Sequence, residues 1–203
     1  MKTDELVYKE HIVPYSREEL INKLNVALRD KRFHHVLRVE QTAVDIAEEN
    51  GVDIEKASIA GLVHDYAKQR PAEDFIQAIK DYNLDKELLD YGNAVWHGFV
   101  GWIFVKKELG INDIEILNAV KYHTVGYQYM TKLEQIVYMA DYIEPARDFE
   151  GVDEARRLTH TDLTKAVAFQ TKRTLDYLVK NNKSVFPQTI LTYNSWVPGS
   201  GLE

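Results

Sequence analysis

Apolar residues recur at spacings of three and four along most of this chain, which is the period of amphipathic α-helices. Glycine and proline, the residues that most often interrupt helices, number only 10 and 5 among 203 residues. The segments Ser16–Glu19 and Thr131–Glu134 each have the residues of a capping box, which marks the start of a helix. The pattern therefore predicts an all-α fold.

Caps and breaks in this pattern divide the chain into helices. We predict helices over residues 17–28, 33–50, 54–64, 71–81, 84–91, 94–109, 114–123, 132–144 and 162–180. Residues 16–183 are long enough to form one helical domain with a single core. We expect irregular extensions on both sides of it, at residues 1–15 and at residues 184–203, the second packing on the domain.

The second predicted helix carries two adjacent histidines, which lie about 100° apart on a helical wheel. Steps of three and four from His35 meet apolar residues such as Val39 and Ile46, whereas the same steps from His34 meet polar residues such as Arg38. We therefore expect His35 to face the core and His34 to face solvent. A single inward histidine is most often a hydrogen-bonded core residue, so this position alone defines no site.

Other ionisable residues lie on apolar helix faces in the same way. Asp141 and His123 continue apolar stripes, His97 is surrounded by small residues, and His64 and Asp65 end an almost wholly apolar helix. Buried carboxylates are rare unless they are paired or bind a metal. Several such residues in one small helical core therefore favour a shared polar centre over separate structural roles.

Composition limits the chemistry of such a centre. The chain has no cysteine, which excludes disulfides, thiolate zinc sites and iron–sulfur clusters, so a metal would be bound by histidine and carboxylate. The 32 acidic against 25 basic side chains give a net charge of −7, which disfavours nucleic acid as a partner. The first residues lack a signal-peptide pattern and no apolar run approaches roughly 18 residues, so we expect a cytoplasmic protein without a membrane partner.

Imidazole nitrogens and carboxylate oxygens without sulfur suit Fe, Mn, Co, Ni or Zn. Such metals lower the pKa of a bound water and bind phosphoryl oxygens. The residues therefore favour hydrolysis of a phosphate ester or anhydride.

The order of these residues, His35, then His64 and Asp65, then Asp141, resembles the H…HD…D signature of HD-domain metal-dependent phosphohydrolases. Four longer segments strengthen the resemblance: AGLVHDYAKQRP at 60–71, WHGFVG at 96–101, YHTVGYQYMTKLEQIVYMADYIEPARDFEGVDEAR at 122–156 and FPQTILTYN at 186–194. Together they are similar to the bacterial YqeK-type family, which hydrolyses diadenosine tetraphosphate symmetrically to two ADP. The resemblance extends from about residue 16 to residue 194.

The resemblance implies a single HD-domain helical bundle with two metal ions, iron being the first expectation and Mn, Co, Ni or Zn the alternatives. The ligands that it implies are His35, His64, Asp65 and Asp141 for one metal and His97 and His123 for the second, with Asp65 bridging.

A tetraphosphate substrate also requires cationic side chains. Lys68 and Arg147 are the main candidates for phosphate contacts, with Arg70 third, although exposed cations are usually only solvated. Our hypothesis is that a metal-bound hydroxide attacks a central phosphorus atom at the Asp65 centre, while Lys68 or Arg147 offsets the charge and ADP leaves.

A loop after His123 is a further candidate for substrate binding. Its residues Thr124, Gly126 and Tyr127 could approach a nucleotide, and a plain turn fits the same residues equally well.

Other functions remain open at this point. The protein could hydrolyse another small nucleotide, or it could bind metal and an ADP-like nucleotide as a regulator without catalysis. A nucleic-acid enzyme is third, disfavoured by the acidic balance. The aromatic content of 11% is compatible with a homodimer interface.

The helical wheel gives a first test. Replacing His34 by alanine should leave metal content and activity nearly unchanged, whereas His35→Ala, Asp65→Ala and Asp141→Ala should each remove bound metal together with activity. Metal analysis of the purified variants measures this. Loss of metal from His34→Ala, with His35→Ala unaffected, would show that the assignment of helix faces is reversed.

Overall fold

A computed structural model describes residues 3–9 and 11–202 of the protein. Residues 1, 2, 10 and 203, which belong to the two predicted extensions, lie outside the described residues. The α-helices are α1 (Arg17–Ala27), α2 (Asp30–Asn50), α3 (Ile54–Val63), α4 (Ala72–Asp81), α5 (Asn93–Phe99), α6 (Trp102–Leu109), α7 (Ile114–Tyr122), α8 (Lys132–Ile143), α9 (Val152–Thr161), α10 (Leu163–Lys180) and α11 (Pro187–Trp196). Short 3₁₀ helices lie at Thr3–Glu5 and Lys86–Asp90. No strand occurs in these ranges, so the predicted all-α fold is confirmed.

Both predicted capping boxes are present. At α1 the Ser16 hydroxyl accepts a hydrogen bond from the Glu19 amide, and the Glu19 carboxylate accepts one from the Ser16 amide at 2.8 Å. Thr131 and Glu134 form the same reciprocal pair at the start of α8. These local bonds satisfy amides that the helix itself leaves free, which is why short-range sequence signals located both helix starts correctly.

The main core lies where α2, α3 and α8 pack against each other. Every residue of α3 except Ile54 and Lys56 is buried. A Cβ atom at Gly61 would lie only 2.9 Å from the Glu40 Cα, so α3 packs directly on the α2 backbone. The buried Glu40 carboxylate accepts hydrogen bonds from Arg17 at 2.6 and 2.8 Å and from Ser58 at 2.6 Å, which connects α1, α2 and α3. This arrangement fixes the end of α3 relative to α2.

A second, smaller core is aromatic and covers one side of the main core. It is built from α4, α5, α6 and the 3₁₀ helix between α4 and α5. The Phe75 ring lies 5.8 Å from Trp96 and 5.5 Å from Phe104, both within the favourable range for aromatic pairs. This cluster holds α5 against the rest of the bundle.

The prediction of one helix over residues 94–109 is wrong. The chain turns between α5 and α6, and the amide of Gly101 donates to the carbonyl of Trp96 at 2.9 Å. A Cβ atom at Gly101 would overlap the carbonyl oxygen of His97, so only glycine fits this tight turn. The apolar period continues across the break, and it therefore concealed the turn.

The prediction of an irregular extension over residues 184–203 is also wrong over half of its length, because residues Pro187–Trp196 form α11. Proline is well suited to the first position of a helix, where its missing amide costs nothing. Tertiary contacts hold this helix: the Thr192 hydroxyl donates to the Val125 carbonyl at 3.0 Å, and the Trp196 indole donates to the Tyr127 carbonyl at 2.7 Å. Helix α9, which begins after Gly151 at a φ of 92°, was not predicted.

The remaining boundaries agree with the predictions within a few residues, and residues 84–91 contain the 3₁₀ helix Lys86–Asp90 rather than an α-helix. Within residues 3–9 and 11–202, none of the helices has both the length and the apolar character needed to cross a membrane.

The contact between Gly61 and α2 gives a stability prediction. Gly61→Ala should lower the free energy of unfolding by about 1–3 kcal/mol, because the new methyl group must separate α3 from α2. Urea denaturation measures this. Gly92→Ala is the matched control, because a Cβ there meets no atom within 4 Å. Equal stability of the two variants would show that α3 can shift away from α2 without a loss of folding free energy.

Candidate metal centre

Four histidines and two aspartates converge at one end of the main core. Listed by element, His35 comes from α2, His64 from the end of α3, Asp65 from the turn that follows, His97 from α5, His123 from the end of α7 and Asp141 from α8. The four imidazoles and Asp65 are buried. Small residues permit this convergence: a Cβ atom at Gly98 would lie 3.1 Å from the His123 ring.

The carboxylate of Asp65 lies at the middle of this group. Its Oδ2 atom is 3.7 Å from His35 Nε2 and 3.6 Å from His64 Nε2. Its Oδ1 atom is 3.4 Å from His97 Nε2 and 3.6 Å from His123 Nε2. Each oxygen therefore faces a different pair of imidazoles, which is the geometry expected of a carboxylate shared between two cations.

All four imidazoles are held in the same tautomer, because each Nδ1 lies beside a group that only accepts hydrogen bonds. The acceptors are the Glu144 carboxylate for His35 (3.1 Å), the Gly61 carbonyl for His64 (2.7 Å), the Asn93 carbonyl for His97 (2.6 Å) and the Val120 carbonyl for His123 (2.7 Å). Each Nδ1 therefore donates its proton, and each Nε2 directs a lone pair to the centre. Metal-binding histidines are commonly oriented in this way.

Three buried polar atoms at the centre have no hydrogen-bond partner among the described residues: His35 Nε2, His64 Nε2 and Asp65 Oδ1. Buried polar atoms are normally hydrogen bonded, so these atoms require another partner. His35 Nε2 also lies 3.1 Å from Asp141 Oδ1, and these two acceptors need a cation or an additional proton between them. A metal ion satisfies both requirements.

Two sets of three ligand atoms lie close enough to share a metal ion, with all atoms of a set within 4.8 Å of one another. One set is His35, His64 and Asp141, and the other is His64, Asp65 and His123. The residues present therefore fit bound metal. His97 lies outside both sets, although its Nε2 atom is 3.1 Å from His123 Nε2.

Protonation states also favour metal binding. Burial lowers the pKa of His64 to about 4, and burial together with Lys68 lowers the pKa of His97 to about 3. Both rings are therefore neutral near pH 7, which is the form that binds metal. Burial alone would raise the pKa of Asp141, but the adjacent His35 ring and the positive charge of Arg147 outweigh it and hold that pKa below its usual range.

Of the three cationic side chains predicted to contact phosphate, two lie at the candidate metal centre. Lys68 Nζ is 2.9 Å from His97 Nε2, and Arg147 Nη2 is 2.5 Å from Asp141 Oδ1. Burial lowers the pKa of Lys68. Arg70 turns away, because it bonds to Glu108 and Asp74 and stacks over Phe104 in the aromatic cluster.

The loop after His123 contributes one side chain to the centre. The Thr124 hydroxyl is 3.0 Å from His97 Nε2. Gly126 has a φ of 71°, and a Cβ atom there would lie 2.5 Å from a Thr192 methyl carbon, so packing on α11 already accounts for this glycine. Tyr127 stacks on the Tyr122 ring, with centroids 4.5 Å apart.

Sequence reasoning missed two residues that contact the centre. Arg32 Nη1 is 2.5 Å from Asp65 Oδ2. Glu144 accepts hydrogen bonds from His35 and, at 2.6 Å, from Arg38. Burial raises the pKa of Glu144, but the bonds from Arg38, the Ala146 amide and His35 outweigh burial and lower it to about 2. Arg32 lies three residues before His35, and Glu144 lies three residues after Asp141. A search at helical spacing around the ligands would therefore have found both.

Comparison with known proteins identifies the family to which this chain belongs. The chain matches the HD domain over residues 32–146, a range that includes all six of the converging residues, and it belongs to the HD domain family.

The chain is also similar to individual proteins whose activity or structure is known. The chain is 45% identical to a symmetrical bis(5'-nucleosyl)-tetraphosphatase of Bacillus subtilis, over 91% of this chain and 100% of that protein. It is 36% identical to the enzyme of the same name from Halalkalibacterium halodurans, over 88% of this chain and 96% of that protein. A crystal structure from Clostridium acetobutylicum, described as an HD superfamily hydrolase involved in NAD metabolism, aligns with a TM-score of 0.86 at 38% identity, covering 91% of this chain and 98% of that one.

The position of Glu144 behind His35 gives a prediction for metal affinity. Glu144→Ala should weaken metal binding about 10- to 100-fold, because the His35 ring loses the acceptor that fixes its tautomer. Competition with a chromogenic chelator measures the affinity. Glu154→Ala on α9 is the control, since Glu154 pairs with the exposed Arg157 in its own helix. An affinity equal to that of the control would rule out a role of Glu144 at the centre.

Proposed function

We propose that this protein hydrolyses diadenosine tetraphosphate symmetrically to two ADP, with the six converging residues as ligands of two metal ions and iron as the expected metal. The observation that carries the proposal is the position of Asp65, whose two oxygens face different histidine pairs. The match to symmetrical tetraphosphatases over nearly the whole chain supports the choice of substrate.

Metal ions bound by these residues would polarise phosphate oxygens and make water a stronger nucleophile at neutral pH. The chain itself would supply the remaining charge. Lys68 lies at the His97 side of the centre and Arg147 at the Asp141 side, so these two positively charged side chains flank the space beside Asp65. They could therefore contact different phosphates of one polyphosphate chain.

The arginines are suited to binding and the lysine to catalysis. The side chains of Arg147 and Arg32 are 36% and 28% exposed, so each guanidinium can reach an incoming phosphate and bind it through two hydrogen bonds. Lys68 is partly buried, which lowers its pKa and places its charge in a medium of lower dielectric constant than water. We assign Lys68 the role of stabilising the negative charge that develops on the attacked phosphate.

The proposed reaction breaks the central phosphoanhydride linkage of the substrate. The oxygen of water bonds to one of the two central phosphorus atoms and the water loses a proton. The bond from that phosphorus to the oxygen that joins the two central phosphorus atoms breaks, and the second ADP leaves carrying that oxygen. Attack at either central phosphorus gives the same products because the substrate is symmetrical.

Product analysis tests the proposal. Metal-loaded protein incubated with diadenosine tetraphosphate should yield ADP as the sole nucleotide product, resolved by anion-exchange chromatography. NAD⁺ is included as a competing substrate, because the Clostridium relative is described as acting in NAD metabolism. ATP and AMP in equal amounts would indicate asymmetric cleavage. Unchanged substrate with full metal content would favour a regulator, and faster turnover of NAD⁺ would favour a different dinucleotide.

A further inference from the structure

A cavity of about 380 Å³ lies between the end of α8, the loop that follows it and α10. The residues that line it are Tyr142, Phe149, Glu150, Arg173, Thr174 and Tyr177. Its volume is within the range of small-molecule sites, which starts near 300 Å³. We call it the Tyr142 cavity.

The Tyr142 cavity is at the same end of the bundle as the metal centre. The Tyr138 hydroxyl is 3.1 Å from the Thr171 hydroxyl, and closer to the C-terminus of both helices Tyr142 lines the cavity together with Arg173 and Tyr177. Helices α8 and α10 therefore run in the same direction here, and their C-terminal ends lie side by side. Asp141 immediately precedes Tyr142, with about 3.8 Å between the two Cα atoms.

The loop after α8 connects the cavity to the centre. Arg147 bonds to Asp141 through its guanidinium and, at 2.9 Å, to the Asp141 carbonyl. Two residues later the Phe149 ring lies 4.7 Å from the Tyr142 ring. One short loop thus presents a cation to the centre and an aromatic ring to the cavity.

The lining suits a flat aromatic ligand better than a phosphate. Three of the six lining residues are aromatic, and Phe149 and Tyr177 remain 36% and 53% exposed. The one cation, Arg173, donates to the Glu150 carbonyl at 2.8 Å, and the Glu150 carboxylate would repel an anion. Aromatic rings bind nucleobases by stacking, and an arginine adds both a stacking surface and hydrogen-bond donors.

We propose that the Tyr142 cavity binds the purine ring of one nucleoside of the substrate while the phosphates lie at the metal centre. This inference rests on the proposed function, because a dinucleoside polyphosphate has a base at each end of its phosphate chain. The loop after α8 would then contact both ends of one nucleotide. The Arg147 guanidinium would bind the phosphates, and the rings of Phe149 and Tyr142 would stack on the base.

Two variants test the cavity without altering the metal centre. Tyr177→Ala removes an exposed ring, and Thr174→Trp fills the cavity from α10. Dissociation constants of ADP and of inorganic tripolyphosphate are measured by isothermal titration calorimetry on the protein as purified with its metals. Tyr82→Ala is the matched control, because Tyr82 is also a partly exposed tyrosine but lies at the end of α4, beside Trp102 and Lys107.

Both cavity variants should weaken ADP binding about tenfold and leave tripolyphosphate binding unchanged, whereas Tyr82→Ala should change neither. ADP binding equal to wild type in both variants would overturn the inference. So would an equal loss for ADP and tripolyphosphate, or a change in oligomeric state by size-exclusion chromatography with ADP binding retained, since the cavity would then be an interface between two copies.

The product analysis separates this inference from the proposed function. A wild-type protein that releases only ADP, but whose cavity variants bind ADP normally, would retain its function and lose its base site. A wild-type protein that neither cleaves the dinucleotide nor binds ADP would overturn both.

Discussion

The structure depends above all on one buried carboxylate. Asp65 is almost inaccessible to solvent, and its two oxygens face the Nε2 atoms of His35, His64, His97 and His123. Arg32 pairs with Asp65 Oδ2, but Oδ1 has no hydrogen-bond partner among the described residues, and an imidazole lone pair does not neutralise a carboxylate. Bound cations would satisfy Oδ1 and the imidazole nitrogens that face it.

The helices serve this centre by supplying acceptors as well as ligands. Three imidazoles donate to backbone carbonyls three or four residues earlier in the chain, so the helix that carries each ring also fixes its tautomer. His35 lies within the long helix α2 and donates instead to the side chain of Glu144, which directly follows α8. Glu144 in turn is held by Arg38 and by the Ala146 amide. This second layer explains how four rings point their lone pairs at one place.

Much of the local structure could be predicted because it rests on short-range physics. The capping boxes at Ser16 and Thr131, and the inward face of His35, depend on residues within four positions along the chain. The errors have the opposite origin. The turn at Gly101 is hidden in an uninterrupted apolar period, and α11 is held by contacts of Thr192 and Trp196 with a loop more than 60 residues away.

The sequence by itself determined the helical class, the identity of the six converging residues and the absence of sulfur ligands, because residue type and helical period are local properties. Only the tertiary structure decided that Asp65 divides its oxygens between two histidine pairs, that Arg32 and Glu144 join the centre, and that Arg70 leaves it. Distances across the core depend on how closely helices approach. Contacts such as that of Gly61 with the α2 backbone set those distances, and no spacing along the chain encodes them.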